Sequence, residues 1–287
     1  MKSQKIRISV WHDIHPTCDP MKNVMRYKDP SSWFGKTERY IHESLEKNGG
    51  LLFALIDPLD YKSMEDAVKT AKNADEGGAD VILIGGSTGV QGETLDLVAK
   101  SIKESVGKPV ILFPGNIGTL TRYSDAVYFM SMLNSRNPYW ITEAQMLAAP
   151  MVTHYKIEPL PVAYVVVDPG GTVGWVGDAK RIPRAKPKIA AAYGLAAQYM
   201  GFRFFITDAG SNPESGHIPL EMVSAVKSAI SIPYIAAGGI RTPDQAKAVI
   251  KAGADIIQVG TAFEKENSIQ KIKDMVKAVR EGAKTRI

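Results

Sequence analysis

The chain has 287 residues, of which 45% are hydrophobic and 23% are charged, and this length fits one domain of about 250 residues with an extension. Its 35 basic and 30 acidic side chains give a net charge of +5, spread along the chain without a basic block. This pattern argues against a nucleic-acid partner, and it fits a small anionic substrate as well as it fits no charged partner.

Residues 1–50 are predicted to form an N-terminal extension that becomes helical over 36–47. The first residues lack the apolar core of a signal peptide, and no apolar run approaches the roughly 20 residues of a membrane span. Cys18 is the single cysteine, which excludes an internal disulfide framework and predicts a cytoplasmic protein. His12, His15, Cys18 and Asp19 stand at spacings that a metal could use, but no second ligand pair lies nearby, which favours ordinary surface residues.

Short buried strands alternate with amphipathic helices from residue 51 to the C-terminus. Parallel strands need a crossover each time, so this alternation predicts a catalytic domain over 51–287 with the α/β fold of a (β/α)8 TIM-type barrel. The predicted strands are 51–56, 81–84, 110–113, 126–130, 162–167, 204–207, 233–237 and 255–259. The predicted helices of this domain are 63–76, 93–105, 141–151, 188–200, 220–230, 244–251 and 268–281.

The link between the third and fourth predicted strands is unusually short. It consists of residues 116–125, whereas a crossover with its own helix needs at least about 10–12 residues. The third helix of the barrel is therefore predicted to be missing or stunted. The apolar gap this leaves would either be covered by another segment or serve as a groove for a long apolar ligand.

Candidate site residues follow the predicted strands, because active sites of such barrels lie at the carboxyl ends of the strands. Asp57 and Ser87 would hold Mg²⁺ through oxygen ligands, although Asp57 would also fit as a cap of the turn before Pro58. No lysine, Cys–His pair or Ser–His pair stands at a strand end, so catalysis would rest on positioning, electrostatics and one carboxylate base. The strand-end residues are Asp57, Ser87, Asn116, Asp168, Asp208, Gly210, Ser211, Gly238, Gly239, Gly260 and Thr261.

Glycine turns after the seventh and eighth strands predict a phosphate site. Gly238-Gly239 and Gly260-Thr261 would let backbone N–H groups approach an anion closely, and the helix N-terminus that begins after Thr242 adds partial positive charge. The alternative is that these glycines only terminate strands. Paired glycine turns at these strands also hold the phosphate of FMN, so a flavin-dependent oxidoreductase is a second hypothesis.

Several motifs resemble the geranylgeranylglyceryl phosphate synthase family, which includes the related heptaprenylglyceryl phosphate synthases. The resemblance covers residues from about 51 to the C-terminus, and its longest motif is the PGGTVGWVGDA run. The other motifs are Gly115-Asn116, NPYW over 137–140, TDAGSNPESG over 207–216, AGGIR over 237–241 and VGT over 259–261.

The resemblance implies a barrel without its third helix and a specific reaction. In that reaction the 3-hydroxyl of sn-glycerol 1-phosphate displaces diphosphate from geranylgeranyl diphosphate, the first ether-bond step of archaeal lipid synthesis. Asp57 and Ser87 match the family positions that hold Mg²⁺, and Asp208 matches the catalytic carboxylate. The resemblance also implies a homo-oligomer such as a hexamer, and a lipid substrate fits transient contact with a membrane. The positions that match the glycerol phosphate site are Ile206, Thr207, Asp208, Ala209, Gly210, Ser211, Asn212, Gly238, Gly239, Gly260 and Thr261.

The motif after the sixth strand departs from the family pattern. Where relatives commonly read YLEAGSG, this chain reads ITDAGSN over 206–212. Asp208 is one methylene shorter than glutamate, and Ile206 removes a phenol that could contact the acceptor. A catalytically inactive, lipid-binding homologue is therefore a third hypothesis.

Overall fold

The computed structural model describes residues 34–86, 90–264 and 268–286, and Gly35 begins the compact unit that contains the barrel. Ser87 and the residues His12, His15, Cys18 and Asp19 lie outside the described residues. The domain boundary placed at residue 50 stays a prediction.

Within the described residues, eight parallel strands pair in chain order and close into a barrel. The first pairs with the eighth, so the sheet has no free edge. These strands are β1 (Leu51–Ile56), β2 (Val81–Ile84), β3 (Val110–Leu112), β4 (Ala126–Met132), β5 (Glu158–Val166), β6 (Phe204–Asp208), β7 (Tyr234–Ala237) and β8 (Ile256–Val259). The TIM-type barrel predicted from the sequence is confirmed.

Helices cover most of the outside of the barrel, and their bounds agree with the predicted ones to within a few residues. They are α1 (Lys36–Asn48), α2 (Met64–Glu76), α3 (Gly92–Lys103), α4 (Ala144–Tyr155), α5 (Gly171–Val176), α6 (Pro187–Tyr199), α7 (Leu220–Ala229), α8 (Pro243–Lys251) and α9 (Ser268–Lys284). The short helix α5 is not predicted, because its glycines make the segment read as a loop. No described helix is long and apolar enough to cross a membrane.

The connection between β3 and β4 contains turns and bends but no helix, and all of its residues are described. The predicted loss of the third barrel helix is therefore confirmed. This connection therefore adds no helix to the outer layer beside β3 and β4.

Two apolar layers hold the barrel, one inside it and one between strands and helices. Alternate residues of a strand enter different layers, as the two-residue period of a strand requires. On β6, Phe204 and Ile206 belong to the inner layer, whereas Phe205 belongs to the outer one. Helix α1 adds Ile41 to the inner layer and so packs against the N-terminal end of the barrel.

Aspartates at the start of β2, β4 and β8 clamp these strands to their neighbours. The N–H of Asp80 donates to the carbonyl of Leu52, and the N–H of Leu52 donates to the Asp80 carboxylate over 2.8 Å. Asp125 exchanges the same pair of hydrogen bonds with Val110, and Asp255 does so with Tyr234. Each carboxylate also pairs with a cation from a helix or the C-terminal segment, as Asp80 does with Arg280.

Strand β6 has no aspartate at its start, and its pairing with β5 explains why none is needed. The equivalent backbone bond runs from the N–H of Arg203 to the carbonyl of Pro161. Proline has no N–H to satisfy, so the position before β6 is free to carry a cation instead. Arg203 uses that cation to bind buried Glu38 through two hydrogen bonds of 2.6 and 2.8 Å.

Candidate active site

A cavity opens at the carboxyl ends of the strands, and its empty space, including the open mouth, is about 990 Å³. Ser87 cannot be placed, because it lies outside the described residues. The predicted residues that line the cavity are Asp57, Asp208, Gly210, Ser211, Asn212, Gly238, Gly239, Gly260 and Thr261.

Three residues of the glycerol phosphate motif do not line the cavity. Ile206 is fully buried in the inner layer, one step below Asp208 on the same face of β6. Thr207 faces outward, where its hydroxyl lies 2.7 Å from that of Tyr234, and Ala209 belongs to the outer layer. The motif therefore brings Asp208 and residues 210–212 to the cavity.

Glycines allow the loops after β6 and β7 to meet backbone against backbone at the rim. Gly210, Gly238 and Gly239 have φ values of +86°, +83° and +74°, which favour glycine. A Cβ on Gly238 would stand 2.6 Å from the carbonyl oxygen of Gly210, and one on Gly239 would stand 2.5 Å from the carbonyl carbon of Gly216. These glycines therefore do more than end strands, since a side chain there would separate the loops. The capped N-terminus of α8, with Thr242 bonded to the N–H of Gln245, follows directly.

Two arginines hold the loop after β6 in place. The guanidinium of Arg241 donates to Oδ1 of Asn212 over 2.8 and 3.1 Å and to the carbonyl of Pro213 over 2.7 Å. The guanidinium of Arg184 donates to the carbonyls of Ser215 and His217. Arg241 also lines the cavity, which adds positive charge beside the glycine turns.

Asp208 is 7% exposed and receives a hydrogen bond on each carboxylate oxygen. The hydroxyl of Tyr164 donates to Oδ2 over 2.7 Å, and the N–H of Gly210 donates to Oδ1 over 2.7 Å. Burial raises the pKa of Asp208, and the two hydrogen bonds oppose that rise because they favour the ionised form. The carboxylate is thus fixed in orientation and more basic than an exposed aspartate.

Tyr164 brings to the site a phenol that Ile206 does not provide. The two residues lie opposite each other in the register of β5 and β6. Tyr164 is fully buried and points inward, so its hydroxyl reaches Asp208 from the neighbouring strand. Tyr164 is not among the site residues predicted from the sequence. The alternation along β5 could have placed it on the inner face beside Asp208.

Asp57 lies at the end of β1 with Oδ1 buried and unpaired among the described residues. Burial, together with smaller contributions from the nearby carboxylates Asp60, Glu264 and Asp208, raises the pKa of Asp57 to about 7. A bound cation would relieve both effects, so this carboxylate fits a metal ligand. No cluster of three or more His, Cys, Asp or Glu side chains suited to a metal occurs in residues 34–86, 90–264 and 268–286. The remaining ligands would have to be other oxygens.

An apolar groove of about 560 Å³ adjoins the cavity beside β4 and α4. It occupies the side of the barrel that lacks the third helix. Its lining includes Phe129, Met130, Met132 and Tyr164. Groove and cavity share the lining residues Pro114, Met130, Met132, Trp140 and Tyr164.

Asn116 and Asp168 lie away from the carboxylates of the cavity. Asn116 lines the groove, and its Oδ1 accepts a hydrogen bond of 2.7 Å from the N–H of Gly118. Asp168 stands near the rim with one oxygen 3.4 Å from Nε of Arg181, and both side chains are partly exposed. Neither position adds a base to the cavity.

The model of the PcrB family matches residues 45–282 of the chain. The chain belongs to the PcrB family. This PcrB protein is 55% identical over 249 residues to the geranylgeranylglyceryl phosphate synthase of Pyrococcus horikoshii, covering 86% of this chain and 96% of that one. It is 56% identical to the enzyme of the same name from Thermococcus sibiricus, covering 87% and 97% of the two chains.

A solved structure with the same architecture contains a bound substrate. It is the (S)-3-O-geranylgeranylglyceryl phosphate synthase of Thermoplasma acidophilum in complex with sn-glycerol-1-phosphate. The two chains superpose with a TM-score of 0.81 at 38% identity, and the match covers 86% of this chain and 99% of that one. The resemblance identified from the motifs is therefore confirmed.

Proposed function

We propose that this protein transfers a geranylgeranyl group from its diphosphate to the 3-hydroxyl of sn-glycerol 1-phosphate, forming an ether bond and releasing diphosphate. The observation that carries this proposal is that the cavity and the apolar groove are continuous with each other. An apolar groove opens into a cavity that holds a buried carboxylate and glycine turns, and the two share five lining residues. A prenyl diphosphate and an anionic acceptor need this pair of environments side by side.

The acceptor would bind between Asp208 and the glycine turns. Backbone N–H groups at Gly238, Gly239 and Gly260 would face its phosphate, with Arg241 adding positive charge at the rim. Asp208, held by Tyr164 and Gly210, would orient the 3-hydroxyl and accept its proton. The hydroxyl oxygen bonds to C1 of the prenyl chain as the bond from C1 to the diphosphate oxygen breaks.

We propose that Asp57 holds Mg²⁺ beside the diphosphate, with Ser87 as a second ligand on the strength of its sequence position. The buried, unpaired oxygen of Asp57 and its raised pKa support this assignment. The ion would neutralise negative charge as the diphosphate leaves. The diphosphate and water would supply its remaining oxygen ligands.

The test is turnover by the purified protein with both substrates and Mg²⁺. The wild type should form the prenyl ether and release diphosphate, EDTA should stop the reaction, and added Mg²⁺ should restore it. We expect Asp208→Asn to lower kcat by about 10²- to 10⁴-fold, because the amide cannot accept the proton. Asp274→Asn, an exposed change on α9, is the matched control and should retain activity. A wild type that binds both substrates tightly without forming product would instead support the inactive homologue.

We also propose that the protein assembles as a homo-oligomer such as a hexamer. Helix α4 leaves Met146, Leu147 and Met151 exposed by 63%, 51% and 43%, and an apolar face of this kind is typical of a subunit interface. Light scattering would test this proposal, and a mass equal to one chain would refute it. A cytoplasmic location stays a prediction from the sequence.

A further inference from the structure

Gln258 is a buried polar residue that the mechanism above does not use. It lies on β8, is 4% exposed and lines the cavity. Its Oε1 is buried and has no hydrogen-bond partner among the residues that the structure describes. Burying an amide oxygen without a partner destabilises a protein, so such a group facing a cavity indicates a ligand atom that pairs with it.

In the strand register, one small residue, Ala237, lies between Gln258 and Asp208. Asp208 on β6 pairs with Ala237 on β7, and Ala237 pairs with Gln258 on β8. All three line the cavity. Adjacent strands lie about 4.8 Å apart, so the backbones of Asp208 and Gln258 are separated by roughly 10 Å. The methyl group of Ala237 leaves space between the two longer side chains, and a three-carbon polyol would fit there.

The chemistry of an amide favours a neutral hydroxyl as the ligand group. An amide can both donate to a hydroxyl and accept from it, whereas a phosphate or a metal ion is bound more strongly by a charged side chain. In the proposed reaction the phosphate of the acceptor faces the glycine turns and its 3-hydroxyl faces Asp208. The 2-hydroxyl, on the carbon next to the reacting one, is then the polar group without a partner.

We infer that Gln258 binds the 2-hydroxyl of the glycerol phosphate acceptor and is a specificity-determining residue for it. This inference rests on the function proposed above. Because Asp208 and Gln258 would hold neighbouring hydroxyls from opposite sides, they would together fix which face of the glycerol carbon chain meets the prenyl group.

The test compares two acceptors, sn-glycerol 1-phosphate and 3-hydroxypropyl phosphate, which lacks the 2-hydroxyl. For the wild type, kcat/KM should be about 10- to 100-fold higher with the first acceptor, as expected for one buried hydrogen bond. Gln258→Met has a similar length without the amide, so its ratio between the two acceptors should fall to about 1. Its substrate-free form should also unfold at a higher temperature than the wild type, because an unpaired buried amide has been removed.

Matched variants separate this inference from a general disturbance of the site. Gln258→Asn keeps an amide on a shorter side chain and should retain part of the preference. Gln198→Met removes an amide that bonds Ser231 at the opposite end of the strands, and its ratio should equal that of the wild type.

One outcome would overturn the assignment of Gln258 while leaving the proposed reaction intact. It is a Gln258→Met enzyme that keeps the wild-type ratio between acceptors, whether its two rates are unchanged or fall equally. A wild type that turns over neither acceptor would instead overturn the proposed function itself.

Discussion

At the scale of single residues, the pairing of Tyr164 with Asp208 sets the properties of the proposed base. Two donors hold the carboxylate, which limits the orientations from which it can reach a hydroxyl. The short side chain of Asp208 is thus held rigidly. Burial makes this acid a stronger base, and the phenol partly counteracts that effect.

This pairing predicts a shift in the pH dependence of turnover. Asp208 can accept a proton only when it is ionised, so kcat should fall as the pH drops through its raised pKa. The Tyr164 hydrogen bond favours the ionised form, so Tyr164→Phe should raise the pKa further. The acidic limb of the kcat profile should therefore move to higher pH in this variant.

Tyr128→Phe provides the control for that profile. Tyr128 is also buried on the inner face, but its hydroxyl has no partner in the described part of the chain, so the acidic limb should stay in place. An acidic limb that does not move in Tyr164→Phe would show that Asp208 is not the group whose ionisation controls kcat.

At the scale of strands and helices, the aspartate clamps explain how neighbouring strands keep their register. Asp80, Asp125 and Asp255 each satisfy a backbone N–H at the start of the preceding strand and bind a cation from the surrounding layer. The first residues of these strands are thereby linked to the surrounding layer by ion pairs. A one-residue slip would reverse the inner and outer faces, so these bonds protect the placement of Asp208 and Gln258 at the other end.

The clamps predict that removing a clamp aspartate destabilises the protein more than removing an exposed aspartate does. Asp255 accepts from the N–H of Tyr234 and pairs with Lys227 and Arg286, so Asp255→Ala leaves three donors without this acceptor. We expect the free energy of unfolding to fall by about 3 kcal/mol. Urea unfolding would measure it, with Asp274→Ala on the exposed face of α9 as a control that changes stability by less than about 0.5 kcal/mol. Equal effects of the two variants would contradict the clamp.

The sequence predicts these elements well because their signals are local. Buried strands bounded by glycine, and the Thr242-Pro243 helix start, are visible in the residues themselves. Helix α5 was missed because Gly171 and Gly174 have low helix propensity, and the loops around them hold the helix in place. Contacts between strands, such as Tyr164 with Asp208, depend on register, which no single stretch of sequence contains.

At the scale of the whole molecule, the missing helix leaves an apolar groove on one side of an otherwise regular barrel. The anion-binding rim lies at the carboxyl ends of the strands, and the apolar groove runs along the wall next to α4. The short link of residues 116–125 predicted the loss of the helix, but only the structure joins the groove to the cavity.

The groove predicts that Ala148 controls the length of the prenyl donor that the enzyme accepts. This residue of α4 lines the groove, so Ala148→Trp should fill part of it. Turnover with geranylgeranyl diphosphate should fall at least about 10-fold, while that with geranyl diphosphate should change much less, because a shorter chain avoids the blocked part. Ala149→Trp, on the exposed face of the same helix, should leave both rates unchanged. Equal losses with long and short donors in Ala148→Trp would argue against the groove as the prenyl site.

The groove left by the missing helix would give a bound prenyl chain a structural role. Helices pack against the other strands, whereas here the hydrocarbon would fill the outer layer between β4 and α4 during each round of synthesis. Departure of the product would expose the apolar lining of the groove to water. The turnover rate would then depend on how readily a membrane, or the next donor molecule, covers that apolar surface.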